Sequence, residues 1–473
     1  MRSLVFALLT VATVYAQPIR LHPENPHYFL FAGRPAVLIT SGEHYGAVLN
    51  RDFDYARYLE TLRADHLNLT RTFSGSYREV PGNFAITGNT LAPAPGKFIA
   101  PWRQRGGKFD LMKWDDAYFT RLKDFLACAG RSGVIVEFVL FCPLYEDSMW
   151  DVSPMNIRNN VNGIGDVART EVLALKDAPL TEVQDAMVRK IVRELRDFDN
   201  LYFEICNEPY FQGVSLAWQE HISKVIAETE AGFVKKHLIA QNWSNGSAVI
   251  DRPNPLVSLF NFHYSRPPSS IAMNRNINRA IGNNETGFDG AADATYRIQG
   301  WDFLMAGGAL YNNLDYSFTV GREDGTFRPP PETPGGGSTV LRRQLRHLRT
   351  FFDEIPFWRM QDATEGTVNG PASASTRALE ESGKLYAIYV HHGRVMQDAK
   401  PRFQVDGAPV SRQITLRLPC GAYTATWRDP HTGLDVKMEK FEATSPGREI
   451  RLTSPVYAED IALTVRAVSV PGG

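Results

Sequence analysis

Short apolar runs alternate with amphipathic stretches along most of the chain, from about residue 28 to residue 355. The runs at 134–141 (VIVEFVLF) and 201–206 (LYFEIC) have the composition of strands that are buried on both faces. The stretch at 181–198 instead repeats apolar residues at helical spacing. The pattern predicts strands at 36–40, 67–73, 134–141, 201–206, 237–241, 257–262, 280–283 and 309–314, with helices between most of them.

This alternation of strands and helices is typical of a parallel sheet that is covered on both faces. About eight such units fit a (β/α)8 barrel with insertions. A doubly wound sheet is the alternative, but it needs a glycine-rich loop after the first strand, and residues 40–44 (TSGEH) do not form one. Two long insertions, 74–108 and 142–180, follow predicted strand ends, on the face where barrel enzymes carry their active sites.

The pattern changes near residue 365. Four short strands of period two are predicted at 385–390, 413–418, 423–427 and 461–465, with turn residues between them. We therefore expect an α/β fold, a (β/α)8 TIM barrel over 17–365, followed by a small all-β sandwich over 366–473. Tyr423 and Trp427 alternate as core residues do, which favours a sandwich that braces the barrel over one that binds glycan.

The first residues (MRSLVFALLTVATVYAQ) have the pattern of a signal peptide over 1–16. Arg2 supplies a positive charge, and the apolar stretch at 4–14 is too short to cross a bilayer. Val14 and Ala16 are small residues at the positions that signal peptidase reads. We expect cleavage after Ala16 and a secreted or periplasmic protein.

The four cysteines include no C-x-x-C pair, which argues against a zinc ribbon or a redox motif. Cys128, Cys142 and Cys206 lie in apolar surroundings and are predicted to be small buried residues. A bridge between Cys128 and Cys142 is the alternative.

Charge and composition narrow the function classes. Lys and Arg number 51 and Asp and Glu 52, a formal net charge of -1, so no basic excess drives nucleic-acid binding. With 43% hydrophobic and 22% charged residues, the chain is not of the disordered class. Beyond the leader, no stretch is long and apolar enough to predict a membrane span. The oligomeric state is left open.

Two glutamates follow buried strands. Glu208 lies in Asn207-Glu208-Pro209, just past the predicted fourth strand, and Glu285 ends the apolar run of the seventh. The tips of these strands face each other across a barrel mouth, so the two carboxylates can bracket one bond. Carboxylates about 5 Å apart catalyse retaining glycoside hydrolysis, whereas a wider spacing gives inversion.

This pair resembles that of the clan A glycoside hydrolases, a large group of retaining (β/α)8 enzymes, over about residues 25–360. The resemblance implies that Glu208 is the acid/base, that Glu285 is the nucleophile and that Asn207 contacts the sugar 2-hydroxyl. Further matches imply other roles. Arg71, at the end of the second strand, resembles the arginine that holds the nucleophile, and His263-Tyr264 resembles the His and Tyr beside it. The expected effect of Arg71 is to keep Glu285 ionised, while Glu208 is expected to keep its proton through a raised pKa.

Within the clan, family 5 is the general comparison. Residues 28–39 (YFLFAGRPAVLI) resemble the opening of the apiosidase-like branch, and the YVHHG, LPCGAYTATW and DPHTG segments resemble the β-module often appended to it. The tryptophan expected on strand eight is not clear, because Trp301 precedes that strand and is predicted to be core. The residues that can take its place are Tyr311, Asn313 and Tyr316.

Further substrate contacts are predicted around the mouth. Glu43 and His44 follow the first strand and are candidates for the distal sugar, with a loop ion pair as the alternative. Aromatic residues are candidate stacking platforms for sugar faces: Trp102, Tyr145, Trp150 and Trp243. No cofactor or metal is expected, since no H-E-x-x-H motif or carboxylate cluster is present. The absence of a G-x-S-x-G elbow weakens an esterase interpretation.

The sequence thus predicts an exported retaining glycoside hydrolase whose partner is a carbohydrate. A transglycosylase with the same residues and a non-catalytic carbohydrate-binding barrel are the alternatives. Sugar and linkage are open, and the two long insertions favour exo action if they fold over the mouth.

Overall fold

The computed structural model describes residues 17–364 and 366–468, so the predicted signal peptide lies outside the described residues. Eight parallel strands, numbered here around the barrel, form one sheet. Their bounds are β1 Leu38–Gly42, β2 Leu69–Phe73, β3 Ile135–Phe141, β4 Leu201–Cys206, β5 Ile239–Asn245, β6 Leu259–His263, β7 Ala280–Thr286 and β8 Leu310–Leu314. The order runs β1-β8-β7-β6-β5-β4-β3-β2, a nearly closed barrel, which confirms the predicted fold.

Asn68 links the two end strands of this sheet. Its Oδ1 accepts from the Ile39 amide at 2.8 Å, and its Nδ2 donates to the Val37 carbonyl at 2.9 Å. One polar side chain therefore bridges the ends of β1 and β2, where the ladder of backbone bonds is incomplete.

The longer helices pack around the barrel. They are α1 Tyr55–Ala64, α2 Asp116–Arg131, α3 Ala178–Leu195, α4 Leu216–Thr229, α5 Asp293–Met305 and α6 Thr339–Asp353. Side chains of Asp54, Asp115 and Ser338 cap α1, α2 and α6 by accepting from first-turn amides. None of the described helices is long and apolar enough to cross a membrane.

Shorter elements complete the barrel unit. The helical ones are Asp147–Asp151, Ser269–Met273, Asn83–Ala85, Ile157–Asn159, Arg169–Glu171, Arg275–Ile277 and Phe357–Arg359. The strands are Arg20–Leu21, Phe29–Phe31 and Arg34–Ala36 in one sheet, and Trp102–Arg105 with Lys108–Trp114 in another.

The C-terminal part is a β-sandwich, as predicted. Its larger sheet runs, in spatial order, Gln361–Asp362, Ser375–Glu381, Leu385–His391, Asp460–Ala467, Gly421–Arg428 and Asp435–Ala443. The smaller sheet runs Val368–Asn369, Gln413–Arg417 and Glu449–Thr453. Gly393–Val395 and Phe403–Val405 pair as a separate antiparallel hairpin, called here the 393–405 hairpin. Tyr423 and Trp427 are buried in the sandwich core.

The sandwich packs on α5, which is why nearly every side chain of that helix is buried. Trp301 stacks on Tyr389 with ring centroids 5.1 Å apart, so it is a packing residue. The Arg297 guanidinium binds the buried Asp460 carboxylate at 2.8 Å. The sandwich thus braces the barrel through buried contacts. Cys128, Cys142, Cys206 and Cys420 are all unpaired.

Candidate active site

Glu208 and Glu285 meet at the carboxyl end of the barrel, the end at which barrel enzymes hold their substrates. Glu208 is two residues past β4, and its backbone φ of 36° lies in the left-handed region. Glu285 is the penultimate residue of β7. One oxygen of each carboxylate and one ring nitrogen of His263 all lie within 4.8 Å of one another. The strand ends therefore bring together two carboxylates that are 77 positions apart in sequence.

Glu285 is surrounded by hydrogen-bond donors. The Tyr45 hydroxyl donates to its Oε2 at 2.7 Å, and Arg71 Nη1 donates to the same atom at 3.4 Å. The Tyr264 hydroxyl donates to Oε1. A carboxylate accepts hydrogen bonds and donates none, so these three donors satisfy Glu285 and fix its direction.

Glu208 has a different set of partners. Its Oε2 accepts from the Tyr145 hydroxyl at 2.5 Å, and its Oε1 lies 3.3 Å from the Tyr210 hydroxyl and 3.2 Å from His263 Nδ1. Burial by itself raises the pKa of Glu208, but the hydrogen bond and charge of His263 outweigh it, so that the pKa lies below its usual value. This contradicts the expected raised pKa, because the sequence did not reveal that His263 faces Glu208.

Below the two glutamates, Arg71 is completely buried and links several groups. Its Nη2 donates to Asn207 Oδ1 at 2.7 Å and also pairs with Glu204. Its guanidinium lies 4.5 Å above the centre of the Tyr45 ring. Arg71 is therefore held from three sides, and its position sets those of Asn207 and Glu285.

Two further glutamates lie in the barrel interior under Arg71. Asn261 donates to Glu137 and to Glu204 at 2.7 Å each, and Asn284 donates to them at 2.9 and 2.7 Å. Burial, followed by the charge of Glu204, raises the pKa of Glu137 well above its usual range. Burial also acts to raise the pKa of Glu204, but Arg71 outweighs it and lowers that pKa. The two pKa values are thus moved apart, which favours the proton on Glu137 and the negative charge on Glu204.

His44 forms the inner wall of the site, whereas Glu43 does not reach it. His44 Nε2 lies 3.2 Å from Glu79, and its ring stacks on Tyr45 at 5.4 Å. Burial acts to lower the pKa of His44, but Glu79 outweighs it and raises that pKa. Glu43 accepts from the amides of Gly46 and Ala47 at 3.0 Å each, and burial raises its pKa to about 7. Among the described residues Glu43 forms no ion pair and holds its own loop through backbone amides, whereas His44 pairs with Glu79 and faces the site.

An outer cleft of about 690 Å³ opens beside Glu208. Phe84, Phe211 and Phe288 line it and are 39%, 39% and 44% exposed, an unusual exposure for phenylalanine in one place. Apolar rings at the mouth of a polar site offer flat surfaces on which sugar faces can stack.

Several lining residues have left-handed backbones, with φ of 54° at Phe84, 53° at Tyr264 and 59° at Phe288. Left-handed backbone is costly for bulky side chains, and it concentrates where the surrounding structure holds a functional geometry. These φ angles show that the chain holds these side chains against their local preference.

The structure brings together most of the predicted site residues: Asn207, Glu208, Arg71, His263, Tyr264, Glu285 and His44. Besides Glu43 and the completely buried Trp102, three predicted contacts lie elsewhere. Trp150 is buried and donates to the Val167 carbonyl at 3.1 Å, and Trp243 donates to the Val249 carbonyl at 3.1 Å. Tyr311 is completely buried on the helix side of β8, with its hydroxyl on the Tyr296 carbonyl at 2.7 Å. None of the three lines the cleft, so the structure does not support the substrate contacts expected of them.

Other residues of the site were not predicted from the sequence: Tyr45, Tyr77, Glu79, Phe84, Glu137, Glu204, Tyr210, Phe211 and Phe288. Glu137 and Glu204 carried a usable signal, since each is a single charge inside an apolar strand run. The loop residues carried none.

Glu208, His263 and Glu285 form the one cluster in 17–364 and 366–468 whose ligand atoms are close enough to share a metal ion. The remaining contacts of the two carboxylates are donors: the hydroxyls of Tyr45, Tyr145, Tyr210 and Tyr264, and Arg71. These donors, and the permanent charge of Arg71, suit carboxylates that exchange protons better than they suit a cation site.

No protein-family model and no curated protein matches the chain. Solved structures share its fold. A Bacteroides vulgatus protein described as a glycoside hydrolase aligns over 96% of this chain and 83% of its own length, with a TM-score of 0.64 and 14% identity. A family 5 glycoside hydrolase from the same organism aligns over 95% and 94%, with a TM-score of 0.62 and 12% identity. At this identity the likeness concerns the fold, and it covers the barrel and the sandwich together.

Proposed function

We propose that this protein is a retaining glycoside hydrolase in which Glu285 is the nucleophile and Glu208 the acid/base. The observation that carries the proposal is the spacing: oxygens of the two carboxylates lie within 4.8 Å of each other on opposite sides of the barrel mouth. Retaining enzymes hold their carboxyl groups about 5 Å apart, whereas inverting ones need about 6.5 Å or more to admit a water molecule. The structures of similar fold that are described as glycoside hydrolases support the same class.

In the first step, a Glu285 oxygen bonds to the anomeric carbon as the bond from that carbon to the leaving oxygen breaks. Glu208 gives its proton to the leaving oxygen. In the second step a water oxygen attacks the same carbon, Glu208 takes a proton from that water, and the bond to Glu285 breaks. Tyr45, Tyr264 and Arg71 orient Glu285 throughout. Asn207 lines the inner pocket beside Glu208 and is the candidate for the sugar 2-hydroxyl.

The lowered pKa of Glu208 is compatible with its role as an acid because His263 is beside it. We infer that His263 Nδ1, 3.2 Å from Glu208 Oε1, is close enough to exchange a proton with that carboxyl group. As the leaving oxygen gains negative charge, the proton passes through Glu208 to that oxygen. The same pair takes up the proton of the attacking water in the second step.

A panel digestion tests the proposal. Wild type and Glu285→Ala are incubated with neutral and acidic oligosaccharides, and released sugars are identified by mass spectrometry. Product from wild type alone supports the nucleophile, and NMR of the first anomer formed must show retention. Inversion, or equal activity of Glu285→Ala, contradicts the assignment. Longer products at high acceptor concentration indicate a transglycosylase. Binding without turnover, unchanged in Glu285→Ala, indicates a carbohydrate-binding barrel.

We further propose that the chain is exported, on the strength of the leader pattern ending at Ala16. The full chain is expressed in a bacterial host, and the protein outside the cytoplasm is analysed by mass spectrometry. We expect Gln17 to be its first residue. A protein that keeps Met1 and stays in the cytoplasm contradicts it.

A further inference from the structure

The outer cleft is not formed by the barrel alone. Three residues of the sandwich line it, all from the 393–405 hairpin: Val395, Gln397 and Arg402. The opposite wall is formed by barrel residues around Glu208, namely Tyr145, Phe211, Gln212 and Asn245. The sandwich therefore contributes to the space next to a proposed catalytic carboxylate, in addition to bracing the barrel.

The hairpin is fixed against the barrel at its base. Phe403 is buried and lies against Gly393, where a Cβ atom would stand 2.4 Å from its ring. A Cβ at Gly393 would also stand 3.2 Å from Ile298 of α5, and one at Gly290, in the loop after β7, 3.3 Å from Pro401. The backbone continues the pairing beyond the strands, since the Met396 amide donates to the Arg402 carbonyl at 2.7 Å. Close packing without side chains at these glycines gives the hairpin a defined place beside the cleft.

The cleft lies on the leaving-group side of the proposed reaction. Glu208 lines the outer cleft, whereas Glu285 lines only the inner pocket, together with His44 and Glu79. A sugar attacked by Glu285 occupies the inner pocket, and the group whose oxygen Glu208 protonates extends outward, toward the hairpin.

The charges of the cleft point to the chemistry of that group. Arg266 lines the cleft, but its guanidinium already has partners. It forms an ion pair with Asp289 and donates to the Tyr264 carbonyl at 3.0 Å. Arg402 is exposed, and within residues 17–364 and 366–468 its guanidinium has no ion pair or hydrogen bond. Glu208 is the one acidic residue among the described lining residues, and Asp398, at the turn of the hairpin, is not among them. The cleft thus offers a free cation and no competing anion on the hairpin side.

We propose that the 393–405 hairpin forms the leaving-group wall of the active site and that Arg402 recognises an anionic sugar there, through a carboxylate or a sulfate. The proposal rests on the proposed function and adds a substrate class to it. A guanidinium binds either anion through paired N–H donors, and such charge-assisted bonds are strong where one side is shielded from water.

The test compares kcat/KM on uronate-containing, sulfated and neutral oligosaccharides, and on an aryl glycoside of the same reacting sugar. The variants are Arg402→Gln, Arg402→Lys and, as the matched control, Arg394→Gln. Arg394 is on the same hairpin, but it donates to the Ser373 carbonyl at 2.6 Å and does not line the cleft.

Arg402→Gln is expected to lower kcat/KM on the acidic substrate by about 10- to 100-fold, chiefly through KM. The aryl glycoside should be unaffected, Arg402→Lys should restore part of the loss, and Arg394→Gln should match wild type. The uronate and sulfate arms identify the anion.

A preference of wild type for neutral substrates overturns the inference, as does an equal loss on the aryl glycoside. If no substrate is turned over, the proposed function fails, and calorimetric binding of the same oligosaccharides to wild type and Arg402→Gln still decides the role of Arg402. Equal affinities for the acidic oligosaccharides would then refute it.

Discussion

The two buried glutamates under the active site respond differently to the same substitution. Glu137 Oε1 accepts both asparagine amides, from Asn261 and Asn284, and Glu137 is the protonated member of the pair. In Glu137→Gln the amide oxygen keeps both of those bonds, and the new NH2 group replaces Oε2, which has no hydrogen-bond partner among the described residues and lies 3.9 Å from Arg71 Nε. We therefore expect this variant to lie within about 1 kcal/mol of wild type in free energy of unfolding.

In Glu204→Gln, neither orientation of the new amide group keeps all the hydrogen bonds of Glu204. Glu204 Oε1 faces Arg71, and its Oε2 accepts from Asn261 and Asn284 at 2.7 Å each. If the new amide oxygen faces Arg71, the new NH2 group points at the NH2 groups of Asn261 and Asn284, which are also donors. If the amide is turned round, its NH2 group points at the Arg71 guanidinium, which is a donor as well. Arg71 also loses its closest negative charge. Breaking a buried ion pair by removing one partner costs about 3–5 kcal/mol, and we expect a loss of this size.

Urea unfolding followed by tryptophan fluorescence and by far-UV circular dichroism measures the difference, and agreement of the two probes tests whether one transition describes both units. A second expectation concerns activity: Glu204→Gln should lower kcat, since Arg71 also holds Asn207 and Glu285. If Glu137→Gln is destabilised as much as Glu204→Gln, the assignment of the proton to Glu137 is refuted.

Three further predictions concern protons. Glu208→Ala should slow natural glycosides by about 10²- to 10⁴-fold, but aryl glycosides with good leaving groups far less, because only the former need an acid; equal losses in steady-state assays contradict the acid assignment. His263→Asn removes the group that lowers the pKa of Glu208, so that pKa should rise in an infrared titration of the carboxyl band, with Glu208→Gln identifying the band; an unchanged or lower value speaks against the shared proton. Glu43 has a folded-state pKa of about 7, raised above the unfolded value of 4.5, so its stabilising effect is complete below pH 4.5 and is lost as the pH rises through 7. Wild type should therefore lose about 1 kcal/mol more stability than Glu43→Gln between about pH 6 and pH 8 in urea unfolding, and parallel curves would exclude a titration of Glu43 in this range.

The sequence located the parts of the site that depend on strand ends. Glu208 and Glu285 were found because each follows an apolar run, and the barrel geometry then placed them opposite each other. Arg71, His263 and Tyr264 were found through the same strand ends and through the family resemblance. A strand end is a local property of the hydrophobic pattern, and the barrel brings all such ends to one face.

The aromatic residues show where this reasoning fails. Trp150 and Trp243 have the composition of sugar platforms, yet both donate to nearby backbone carbonyls and pack away from the cleft. Phe84, Phe211 and Phe288 form the exposed rings of the cleft instead. Whether an aromatic side chain in a long loop faces the core or the mouth depends on how that loop folds over the barrel, which no short-range pattern encodes.

The sequence by itself determined the barrel, the sandwich and the two opposing carboxylates, because hydrophobic periodicity and strand ends depend on residues that are neighbours in the chain. Only the tertiary structure decided the electrostatics, since the effect of His263 on Glu208 and of Arg71 on Glu204 depends on separations of a few ångströms between distant strands. It also decided that Arg402 lines the same cleft as Glu208, through the packing of a second unit on α5.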